Sequence, residues 1–127
     1  MPLGPLRLQL EREFKGKLLN LRTRAILADG KPRKLAELMT ATVNSTLVLI
    51  RAAVRLYQED VPATKREALD MLAGRLVFDP APIRTAIALK NGEVRRKAID
   101  VPSLFAGYLR ALEQLGEAID RHREAMA

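Results

Sequence analysis

Residues able to do chemistry are thinly spread in this chain. It has one histidine, His122, and no cysteine. Without cysteine, disulfides, thiol nucleophiles and zinc–thiolate sites fall away together. A histidine–carboxylate metal site needs several convergent ligands. Asp120 and Glu124 lie two positions either side of His122, and positions two apart on a helix diverge. No metal site is expected, and His122 reads as a partly packed residue near a helix end. Ser45 and Ser103 have no base partner in the sequence. Ser103 follows Pro102 at a helix start, where serine is common. Gly30, Gly74, Gly92, Gly107 and Gly116 never cluster into a phosphate loop. Glu11 and Glu13 are close in sequence but on different sides of a helix. No catalytic residue and no cofactor is expected on this chain.

Charge is the stronger signal. The formal net charge is +7. Residues 1–34 hold nine Lys and Arg against three acids, a local +6, which leaves about +1 for the other 93 residues. The candidate binding residues are Arg12, Lys15, Lys17, Arg22, Lys31, Arg33 and Lys34. They would suit nucleic acid, a nucleotide's phosphates or an acidic partner domain, and a solvated helix face is the plainer alternative. Aromatic residues make up only 4% and Trp is absent, which speaks against a stacking platform for single strands.

The elements that must carry these residues are helical. Leu38–Ile50, LMTATVNSTLVLI, passes thirteen residues without a charge in a chain that is 29% charged. Such a run calls for burial on nearly all sides. It falls short of the ~20 apolar residues of a membrane span. The N-terminus lacks the apolar core and cleavage site of a signal peptide. No membrane association is expected, and the cytoplasm is the expected location. Within the run, Thr42, Asn44 and Ser45 are candidate pocket-lining residues, with hydroxyls bonding back to helix carbonyls as the alternative.

Leu3, Leu6, Leu10, Phe14, Leu18, Leu21, Ala25 and Ala28 recur at threes and fours, predicting a first helix from Pro5 to about Ala28. Asp29–Gly30 should end it. Within it, Glu11 with Lys15 and Glu13 with Lys17 are spaced as i,i+4 ion pairs. Gly16 is costly mid-helix and would be explained by close approach of another helix. A second helix starts near Pro32 and reaches towards Tyr57, with two apolar stripes that imply neighbours on two sides. Glu59 to Pro62 breaks the chain. Thr64 and Glu67 form a capping box for a third helix, and Asp79–Pro80 starts a short fourth that stops at Asn91–Gly92. A fifth runs from around Pro102 on a stripe of Leu104, Tyr108, Leu112, Leu115 and Ile119. The expected fold is a single all-α domain over residues 1–127, a four- to five-helix bundle around a central buried helix.

The segments RLQLEREFKGKLLNLR (7–22), VPATKREALDML (61–72) and LFAGYLRALEQL (104–115) carry a resemblance. The first, with Glu13, Lys15, Gly16, Lys17, Leu18 and Arg22, resembles the opening of the helical C-terminal domain of bacterial minimal-nucleotidyltransferase-type proteins, a HEPN-like bundle. The other two resemble later segments of that domain, so the likeness covers most of the chain. It implies a helical accessory module beside a nucleotidyltransferase domain, in cis or in trans, that binds substrate or a partner. The transferase signature itself, Gly-Ser followed by an Asp-x-Asp pair, is not in these residues. Nor is the ribonuclease pattern of related HEPN bundles, an arginine a short fixed stretch before a histidine: Arg121 adjoins His122, and Arg110 stands twelve residues before it. The expectation is a non-catalytic accessory domain. A stand-alone basic nucleic-acid-binding bundle is the alternative. A homodimer would bury any apolar face left over.

Overall fold

The computed structural model describes residues 3–57 and 64–126, and the side chains of 5–57 and 64–121. The chain break expected at Glu59–Pro62 lies outside the described residues, as does the side chain of His122. Five α-helices form the bundle: α1 (Leu3–Ala28), α2 (Pro32–Val54), α3 (Lys65–Arg75), α4 (Ala81–Lys90) and α5 (Val101–Met126). Single 3-10 turns follow α2, at Arg55–Tyr57, and precede α5, at Arg96–Ala98. Among the described residues there is no strand, and no helix is long and apolar enough to cross a membrane.

The α1–α2 turn is tight because two consecutive residues adopt left-handed backbone, Asp29 at φ 51° and Gly30 at φ 69°. Asparagine, aspartate and glycine tolerate that region best. The Lys31 N–H then bonds the Ala28 carbonyl at 3.0 Å, and Pro32 opens α2 where no backbone donor is needed. Thr64 caps α3, its hydroxyl accepting from the Glu67 N–H at 3.1 Å. Asp79 caps α4 from one residue further out than expected: its carboxylate accepts from the Ala81 N–H at 3.0 Å. The cap of α5 is Asp100, which takes the Ser103 N–H at 3.3 Å and the Ser103 hydroxyl at 2.8 Å.

Helix α2 is the centre of the molecule and packs against each of the other four helices. Met39, Ile50, Ala53 and Val54 are wholly buried there. Helix α1 lays Leu10, Phe14, Leu18, Leu21 and Ala28 into the same core, and α5 adds Phe105, Tyr108, Leu112, Leu115 and Ile119. Each Leu, Ile, Val, Met or Phe among them contributes ~1.5–3 kcal/mol when taken out of water. Helices α1 and α5 run antiparallel, tied at their surface by an Arg22–Glu113 ion pair. Helices α3 and α4 are also antiparallel, joined by Arg84–Asp70 at 2.6 Å and Arg66–Glu93 at 3.0 Å.

Two expectations are corrected. Leu38–Ile50 is not covered on nearly all sides: Ala41, Asn44, Ser45 and Val48 are exposed. Helix α1 and the α3–α4 pair flank α2 but leave an outward strip between them, and small or polar residues occupy most of it. Nor does Gly16 mark a close helix approach, because a methyl group built there meets nothing within 4 Å. Gly16→Ala is therefore expected to raise stability by about 0.5–1 kcal/mol through helix propensity alone, read as a higher midpoint in denaturant. A lower midpoint would restore the close-packing explanation. The glycine that does allow close approach is Gly107 on α5, where an added methyl would lie 3.0 Å from the Pro82 ring of α4.

Candidate functional site

The seven cations singled out in α1 and at the start of α2 do not make one patch. Lys15 bonds Glu11 at 2.8 Å, and Glu11 also takes Arg7 at 2.7 Å. The Lys15 bond, then Arg7, holds the Glu11 carboxyl below its ordinary range. Arg22 is engaged by Glu113. Arg33 meets Glu37 at 3.1 Å. Arg12, Lys31 and Lys34 are exposed. Lys17 turns from Glu13 towards α2 and donates to the Ser45 hydroxyl. It is half-buried there, and burial pushes its ammonium down from the ordinary lysine value.

Thr42, Asn44 and Ser45 likewise separate. A helix turns about 100° per residue, so neighbours in sequence face different elements. Thr42 faces the core: its hydroxyl donates to the Leu38 carbonyl at 2.9 Å and lies 3.3 Å from the Tyr108 phenol. Asn44 faces α3, where its side-chain oxygen accepts from Lys65 at 2.7 Å. Ser45 faces α1 and Lys17.

Thr46, which is fully buried, completes the core network. Its hydroxyl donates to the Thr42 carbonyl at 3.1 Å and lies 3.0 Å from the Tyr108 phenol. In each threonine–phenol contact either oxygen can donate. Burial pushes the Tyr108 phenol above its ordinary value, against the opposing effect of the two threonine bonds. Burial raises Tyr57, the chain's other tyrosine, in the same direction. In the unfolded chain both ionise near pH ~10. Above that pH the unfolded state binds fewer protons than the folded one, so stability should fall as pH rises. Below it, the tyrosines contribute no slope. The check is a phenolate absorbance titration run beside unfolding curves. Both tyrosines ionising together near ~10 with the fold intact would contradict it.

The Lys17–Ser45 contact supplies the nitrogen partner that Ser45 lacks in the sequence. It is not arranged as a nucleophile and base. The Ser45 proton is donated to the Thr42 carbonyl at 2.9 Å, and Lys17 acts as donor, not acceptor. Ser45 also sits mid-helix, where backbone N–H groups are used by the helix itself and cannot stabilise an oxyanion. Among the described residues, no group of three or more His, Asp or Glu is placed to hold a metal ion.

What the fold does assemble is a groove made of three hollows in a row along α2, the first two of them between α1 and α2. Next to the turn is a hollow of about 400 Å³ lined by Arg24, Leu27, Lys34, Glu37 and Ala41 among others. Midway lies one of about 410 Å³ lined by Glu13, Gly16, Lys17, Asn20, Ser45, Val48 and Leu49. The last, about 310 Å³, is lined by Val48, Arg51, Ala52 and Arg55. The floor is small or apolar: Gly16, Ala41, Ser45 and Ala52, with Leu27 76% and Val48 51% exposed. Lys17, Arg24, Lys34, Arg51 and Arg55 line it against Glu13 and Glu37, and Glu37 is engaged by Arg33.

Arg24, Arg51 and Arg55 thus join Lys17 and Lys34, although a reading centred on the net charge of residues 1–34 did not single them out. Their signal is spacing: Arg51 and Arg55 are four apart beside the strip of Ala41, Ser45, Val48 and Ala52, and Arg24 follows Lys17 by two turns. From Lys34 to Arg55 the groove spans about 31 Å along α2, at ~1.5 Å per residue.

A scan of the sequence against protein-family models finds no match. Searches of curated proteins and of solved structures find none either.

Proposed function

We propose that this chain is a non-catalytic helical accessory domain that docks on an acidic partner through the α1–α2 groove. The resemblance of residues 7–22, 61–72 and 104–115 makes that partner a nucleotidyltransferase domain, in the same protein or a neighbouring chain, in the cytoplasm. The observation that carries the docking is the groove itself: a small, partly apolar floor running about six helical turns of α2 from Lys34 to Arg55, with five cations against two acids. Interfaces combine an apolar centre with a charged rim, and complementary charge steers encounter. Two copies facing groove to groove would set cation against cation, which favours a different partner over a homodimer at this face. For a stand-alone nucleic-acid binder, phosphate contacts supply most of the affinity. Here Lys15, Arg22 and Arg33 are already held by acids.

The test is calorimetric titration of the chain with the nucleotidyltransferase domain encoded beside or fused to it. A one-to-one complex with a Kd of order 1 μM, weakened by salt, is the expected result. No heat with that domain, together with tight and steeply salt-dependent binding of duplex or single-stranded nucleic acid, would overturn the proposal in favour of the nucleic-acid reading.

A further inference from the structure

On the other flank of the open strip of α2, one residue along from Ser45, a separate cavity lies where α2, α3 and α4 meet. Its volume is about 230 Å³, below the ~300–1,000 Å³ of sites for drug-sized ligands. Val43 and Leu47 of α2 and Ile87 of α4 give it an apolar wall, and all three are buried. Lys65 and Arg66 of α3 and Lys90 of α4 line it too, with the amides of Asn44 and Asn91. We propose that this corner binds the phosphate group of a small phosphate monoester whose organic body rests on Val43, Leu47 and Ile87.

Charge and hydrogen bonding point to that ligand. Along α1, Lys15 and Arg22 face acids, Glu11 and Glu113. The cations of the corner are left largely uncompensated. Lys65 is held by a neutral group, the Asn44 side-chain oxygen, at 2.7 Å. Lys90 makes no ion pair among the described residues. Only Arg66 has an acid, Glu93, at 3.0 Å.

Three cations and one acid leave a local charge of +2. The Asn44 oxygen orients the Lys65 ammonium and leaves the Asn44 NH₂ free to donate. A phosphate monoester carries about −1.5 to −2 charge at pH 7 and three strong acceptor oxygens, which suits two ammonium groups and an amide donor. A monocarboxylate would leave one ammonium unmatched. The apolar wall adds a preference for an ester over inorganic phosphate.

The experiment is a ¹H–¹⁵N chemical-shift titration of the full chain at constant ionic strength, with phenyl phosphate and with inorganic phosphate. Saturable shifts are expected in residues 43–47, 64–66 and 87–91, with a Kd of order 1 mM for phenyl phosphate and weaker binding of inorganic phosphate. Lys65→Gln and Lys90→Gln should each weaken binding about tenfold. Lys97→Gln makes the same charge change on the 3-10 turn before α5 and should leave binding unaltered. Lys90 is exposed at the end of its helix, so its variant keeps the test decisive if Lys65→Gln disturbs folding. Three results would overturn the proposal: diffuse or unsaturable shifts, equal binding of the two probes, or equal weakening by Lys97→Gln. An Arg24→Glu/Lys34→Glu variant should still bind phenyl phosphate, because the groove is a separate site.

Discussion

Replacing Phe14 with alanine is expected to lower the unfolding free energy by about 3–5 kcal/mol. Phe14 is 0% exposed and central in the buried stripe of α1, the helix that packs on both α2 and α5. Alanine removes the ring and leaves a cavity that neighbours on two helices can close only in part. Against a typical total of about 5–15 kcal/mol for a small domain, such a loss would leave the variant marginal. Leu19, five residues on and facing away from the core, is 67% exposed. Leu19→Ala should change stability by less than ~0.5 kcal/mol. Urea unfolding of the two variants, with slopes compared to the parent, is the measurement. A cost below ~1 kcal/mol for Phe14→Ala would mean that α1 does not pack as described.

Reversing two rim charges together, Arg24→Glu with Lys34→Glu, is expected to weaken docking of an acidic nucleotidyltransferase domain by about 3 kcal/mol, roughly a hundredfold. Both residues are exposed and line the same hollow beside the α1–α2 turn. Each substitution replaces an attraction to the partner with a like-charge repulsion. The effect should shrink as salt rises, because exposed charges are screened over about 8–10 Å near physiological ionic strength. Helical content and urea midpoint should barely change. Reversing acids on the partner's contacting surface should restore part of the affinity. Unchanged affinity for the double variant would remove the groove as the docking face even if the two proteins do associate.

Most of the secondary structure is legible in the residues. The α1 stripe, the Asp29–Gly30 stop, the Thr64 cap and the α5 stripe follow from the 3.6-residue period and from what particular side chains do at helix ends. Even so, the α4 cap sits one residue from its expected place, and α5 is capped by the Asp100 carboxylate, ahead of the expected start at Pro102. Several residues within a turn can satisfy the same free N–H groups, so type and order are plainer than exact ends.

The candidate sites were less legible, and the reason is geometric. Thr42, Asn44 and Ser45 look like one polar cluster, yet they face α5, α3 and α1 respectively. Rotation along a single helix is written locally, but which helix lies on which side is not. The same holds for the cations. Arg22 and its acid Glu113 are 91 residues apart, and Lys17 reaches Ser45 across 28. No local pattern marks Arg22 as neutralised or Lys34 as lining a hollow.

The sequence by itself determined that this protein is an all-α bundle, roughly where its helices lie, which stripe of α1 and of α5 goes inward, and that α2 is the central helix. Those properties depend on local propensity and hydrophobic period. Tertiary structure alone decided that one strip of α2 stays open, that Gly16 lies in free space, which cations have acidic partners, and that the polar residues of α2 are shared between a core network, a groove and a corner cavity. These depend on the order and side on which helices pack, and that is settled by burial summed over the whole core.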